Sequence, residues 1–108
     1  MQVGHIRENG YEGVYFEDDE GNTLGIERAD SFDDDDVQNG LDTYCITLGT
    51  GQTVYGGIDR WEVDEPGHAW LLITPEAAAV LGTPDAFEIE ADEAELAEVD
   101  PIVQRLIA

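Results

Sequence analysis

Carboxylates dominate the chemistry open to this chain. It carries 26 Asp and Glu side chains against four Arg, no Lys, two His and a single Cys. Metal binding is the first use such a set offers. A calcium loop of the EF-hand type needs acids at alternating positions ahead of a loop glycine. Counting back from Gly40 places Val37 at the third position, and counting back from Gly21 places Phe16 at the first, so neither stretch fits. Asp33, Asp34, Asp35 and Asp36 are four adjacent carboxylates, which repel one another and favour a solvated loop or a frayed helix start. Zinc needs clustered Cys and His. Cys45, His5 and His68 lie far apart along the chain, so no metal and no cofactor is expected.

Catalysis finds no better footing. Cys45 with His68 as its base lacks a third, orienting group, and Cys45 reads as a small buried hydrophobe on a strand. His5 and His68 read as surface or hydrogen-bonded structural residues. A pair of carboxylates could cleave a glycoside only in a cleft that raises the pKa of one of them, and 108 residues leave little room for it. Gly49-Thr50-Gly51 and Gly56-Gly57 lack the helix start that would receive a phosphate. Tyr44, Tyr55, Trp61 and Trp70 have a single basic residue, Arg60, among them and form no stacking platform for bases. Trp70 is expected in the core, and Tyr55 and Trp61 either in the core or anchoring an interface. The chain is therefore not read as an enzyme.

The net charge of −22 repels phosphate, so nucleic acid and anionic lipid are not expected partners. The apolar fraction of 42% is that of a globular protein, and the length suits one domain over residues 1–108. A lone Cys, no basic-then-apolar leader and a longest apolar stretch of only Ala69 to Ile73 point to a cytoplasmic protein. Nothing selects between monomer and homodimer.

The elements that must position these residues are mostly strands. Tyr11–Glu17 and Thr23–Glu27 form a hairpin around Gly21-Asn22. Thr43–Leu48 alternates strictly, and Gln52–Ile58 returns from it with Val54 and Ile58 aligned and Gly56-Gly57 marking a bulge or close backbone contact. His68–Ile73 is apolar on both faces, as a central strand covered by a helix would be. Thr74-Pro75-Glu76 carries the marks of a helix start, with Gly82 as its stop. Phe87–Ile89 is a half-buried strand. Leu96, Val99, Ile102, Val103 and Leu106 recur at helical spacing, with Pro101 predicting a kink or two abutting helices. The predicted fold is α+β: one mostly antiparallel sheet with a short helix and a C-terminal helix packed on one face.

Tyr55-Gly56-Gly57-Ile58, then Trp70-Leu71-Leu72-Ile73-Thr74-Pro75-Glu76-Ala77-Ala78 and Leu81-Gly82, resemble the immunity protein 10 family of bacterial polymorphic toxin systems. The similarity runs from about Leu41 to the C-terminus, with the first forty residues alike only in being strand-rich and acidic. It implies a small cytoplasmic protein that binds and neutralises the C-terminal domain of a cognate secreted toxin, and it transfers no catalytic residue. Asp33, Asp34, Asp35 and Asp36 are then candidates for steering a basic toxin, and Tyr55 and Trp61 for anchoring it. The alternative is an acidic housekeeping or structural domain whose charge reflects a GC-rich or salt-adapted host.

Overall fold

The computed structural model describes residues 1–108. Its elements are β1 (Gln2–Glu8), β2 (Tyr11–Glu17), β3 (Thr23–Ala29), α1 (Asp34–Gln38), β4 (Cys45–Leu48), β5 (Thr53–Tyr55), β6 (Ile58–Glu65), β7 (His68–Ile73), α2 (Pro75–Leu81), β8 (Ala86–Glu90) and α3 (Glu93–Leu106). The α+β reading holds. The strands, however, form two antiparallel sheets rather than one: a meander β1-β2-β3-β4-β5 and a smaller sheet β6-β7-β8.

The chain changes sheets at Gly56-Gly57. The expected return strand stops at Tyr55, and Ile58 opens β6 in the second sheet opposite Ile73. Both glycines have positive φ, 72° and 91°, a region closed to most side chains. Gly57 also answers a packing demand, because a Cβ there would lie 2.7 Å from that of Ala77 on α2. The close backbone contact expected from this pair is therefore present.

One core joins both sheets and two helices. Val14, Phe16, Leu24, Ile26 and Ile46 face inward from the large sheet, and Ala69, Leu71, Ile73 and Ile89 from the small one. Ala77, Ala78 and Leu81 of α2 and Leu96, Val99, Val103 and Leu106 of α3 complete it. Thr74 caps α2 by accepting a hydrogen bond from the Ala77 amide at 3.2 Å, and Gly82 closes it in the left-handed region. No helix is long and apolar enough to cross a membrane.

Four local expectations need correcting. β1 lay outside the predicted strands because its core-side positions, Val3, His5 and Arg7, are mostly polar and show no apolar alternation. β7 is central in its sheet but buried on one face only: Trp70 and Leu72 point to the half-exposed outer side, and Trp70 is not in the core. Cys45 is half-buried rather than fully buried. Pro101 does not split the last helix, which runs unbroken from Glu93 to Leu106. Pro101 and Ala97, whose carbonyl loses its partner there, are both exposed, so water can satisfy that group.

Leu71→Ala should cost about 2–5 kcal/mol as a core truncation. Leu72→Ala should cost clearly less, and Thr74→Ala about 1 kcal/mol for the lost cap. Urea denaturation checks this, and equal losses at Leu71 and Leu72 would contradict the facing of β7.

Candidate functional site

Asp33, Asp34, Asp35 and Asp36 build the start of α1. Asp33 is its N-cap: its Oδ1 accepts from the Asp36 amide at 2.8 Å, and Asp36 Oδ2 accepts from the Asp33 amide at 3.1 Å. This reciprocal box fixes two of the four carboxylates, and the N-terminal helix end favours all of them. The segment is thus a short capped helix with no buried residue, rather than a featureless loop. Tyr55 stands opposite Cys45 on the edge strand β5 and is 46% exposed. Trp61 lies in the other sheet. Its ring meets Phe16 with centroids 5.9 Å apart, and its Nε1 donates to Asp100 Oδ1 at 2.8 Å. The structure thus places Tyr55 and Trp61 in different sheets and engages Trp61 in holding β6 to α3.

Two clusters of charge were not visible along the chain. The first surrounds Glu12, the only charged side chain that is buried, at 3% exposure. Arg105 of α3 donates from Nη2 to Oε2 at 2.9 Å, and its Nη1 forms an ion pair with Oε1 at 2.7 Å. Arg7 donates to Oε1 at 3.0 Å, and His5 Nε2 lies 2.7 Å from Oε2. The Arg105 hydrogen bond, aided by that of His5 and by the charges of Arg105 and Arg7, holds the Glu12 carboxyl below its usual range against the opposing pull of burial. Arg28, opposite Glu12 in the register, donates to the Leu106 and Ala108 carbonyls at 3.1 and 2.8 Å. Three of the four arginines thus converge on one end of the large sheet.

The second cluster lies on the outer face of the small sheet. His68 sits between two carboxylates, with Nδ1 2.5 Å from Asp64 Oδ1 and Nε2 2.8 Å from Glu88 Oε2. The imidazole meets Trp70 edge-on, with centroids 5.7 Å apart. The Glu88 hydrogen bond first, then that of Asp64, raises the His68 pKa to about 9, so the ring is a cation at neutral pH. His68, Glu88 and Glu90 offer ligand atoms within 4.8 Å of one another, the one grouping here of the kind that holds a metal. Cross-strand register creates it, which counting along the sequence could not reveal: His68 faces Glu90 directly and Glu88 diagonally. Nucleophilic chemistry gains nothing. Burial, then the charge of Glu27, pushes the Cys45 thiol up to about 11, and Cys45 and His68 belong to different sheets.

The model of the immunity protein 10 family matches residues 13–98. The match begins well before Leu41, taking in β2 and β3, and stops within α3 ahead of Pro101. No curated protein and no solved structure matches the chain.

The two clusters call for opposite pH signatures. A raised histidine pKa contributes stability that is complete below about pH 6.5, its unfolded value, and disappears as pH rises through about 9. The melting temperature of the wild type should therefore fall across that interval, and that of His68→Gln should stay flatter. The lowered Glu12 pKa contributes stability above the usual carboxylate range that is lost as acid protonates it. Arg105→Met should lower the melting temperature more than Arg60→Met, whose guanidinium meets only the exposed Glu62. Equal effects would deny the Glu12 cluster its role in holding α3.

Proposed function

The chain belongs to the immunity protein 10 family, and from that premise we propose that it is a cytoplasmic immunity protein. It binds the C-terminal domain of a cognate polymorphic toxin and blocks it by occlusion, with no catalysis of its own. The observation that carries the reading is the family match over most of the domain. The charge supports it. A surface of net −22 attracts a basic partner and repels the nucleic acid such a partner would bind.

Within this reading Asp33, Asp34, Asp35 and Asp36 act through the field they add to the approach of the toxin. Tyr55, the exposed aromatic on β5, is a contact residue, and Trp61 supports the surface from beneath. The test is co-expression with the C-terminal domain of the toxin encoded beside it: cells survive with the wild-type chain and die without it. Replacing all four aspartates with Asn should slow association with that domain at low salt and leave dissociation unchanged. The difference should fade above physiological ionic strength, where exposed charges are screened within roughly 8 Å. An unchanged association rate at low salt would reduce the run to solubility charge.

A further inference from the structure

At the end of the large sheet opposite the arginines, the two sheets part. The cleft between them has a volume of about 560 Å³. Its floor is apolar: Phe16, Leu24 and Leu48 from the large sheet, Phe87 and Ile89 from β8. Its lips are the β2–β3 turn, the β4–β5 turn with Thr50, and Thr83 ahead of β8. Beside it lies a smaller hollow lined by Met1, Asp18, Asp19, Glu88 and Glu90. Neither is lined by an Arg.

Charge decides what can enter. Arg7, Arg28 and Arg105 are held around Glu12 and the C-terminus of α3, at the end of the large sheet from which α1 departs. There Arg7 also approaches Asp30, at 3.8 Å. At the cleft the only cations beside Asp18, Asp19, Glu88 and Glu90 are the α-ammonium of Met1 and His68, the latter already shared between Asp64 and Glu88. A second copy of this chain brings another −22 and is repelled, as are nucleic acid and anionic lipid. A cationic partner is attracted, and the apolar floor rewards a partner that also brings an apolar side chain.

Resting on the immunity reading above, we propose that this cleft is the seat of the toxin: a segment of the toxin domain inserts an apolar side chain between the sheets while flanking Lys or Arg side chains meet the acidic lip. The inserted side chain is the anchor that sets the dissociation rate. The acids of α1 contribute to the approach.

The experiment measures binding of the purified chain to the C-terminal domain of the toxin encoded beside it. Thr50→Trp and, independently, Thr83→Trp place a ring in the mouth from opposite lips without removing any floor residue. Each should speed dissociation at least ~10-fold, as loss of an anchor does, with melting temperature kept near that of the wild type. Using two lips guards against one variant failing to fold. Asp19→Asn with Glu90→Gln should slow association several-fold at low salt. Dissociation unchanged in both Trp variants, whatever Tyr55→Ala does, would overturn the cleft and leave the immunity reading standing. A wild-type chain that neither binds the domain nor protects cells from it would overturn both.

Discussion

The structure turns on one buried carboxylate. Glu12 occupies an inward position of β2, in line with Val14 and Phe16, where the pattern of the strand calls for an apolar side chain. Its desolvation is tolerable only because Oε2 takes hydrogen bonds from Arg105 and His5, Oε1 takes one from Arg7, and Arg105 Nη1 adds an ion pair to Oε1. Those donors come from β1 and α3, elements more than ninety residues apart for Glu12 and Arg105. The carboxylate therefore fixes where the last helix lies across the sheet. It also gives β1, whose inward face is mostly polar, a reason to pair. Arg28 extends the joint to the last carbonyls of the chain, where a cation suits the helix C-terminus.

That arrangement has a consequence for the whole surface. Four arginines must serve a chain with 26 acids, and three are committed to one joint. Elsewhere the acids are placed where local structure tolerates them. Asp33 through Asp36 crowd the first turn of α1, Glu76 begins α2, and Asp92, Glu93 and Glu95 begin α3, all at the positive ends of helices. Asp18 accepts two backbone amides in the β2–β3 turn and the side chain of Asn22. No buried side-chain nitrogen or oxygen lacks a partner. The repulsion that remains is between solvated charges, which is the kind that salt and binding partners relieve.

Legibility in the sequence followed the range of the physics. Features set by neighbours within four residues could be read: the Thr74 cap, Gly82 as a stop, the Gly21-Asn22 hairpin, and the alternation of β4. Features set by tertiary partners could not. Apolarity on both sides of β7 implied burial of both, yet Trp70 and Leu72 are carried on a half-exposed face, and only the register of β6 and β8 reveals it. Pro101 carried a strong local signal for a break, which packing of Val99 and Val103 into the core overrode. The candidate residues divided the same way. Charge density marked Asp33–Asp36, whereas the Glu12 joint, the His68 pair and the parting of the sheets depend on contacts that no spacing encodes.

Under the proposed function, fold and binding place opposed demands on the same charge. Crowded acids raise the free energy of the compact chain, and a cationic partner lowers it again by supplying the counter-charge the chain lacks. Binding to the folded state alone stabilises it in proportion to the logarithm of partner concentration over its dissociation constant. Part of that stabilisation is relief of the chain's own repulsion. Added salt screens both terms at once, so it firms the free protein while weakening the complex. The arginines sharpen this coupling by where they are held: gathered on Glu12, they serve the end of the sheet that α3 closes and leave the opposite, parted end without a guanidinium. The constraint that secures the last helix is thus also what keeps the arginines away from the acids at the cleft.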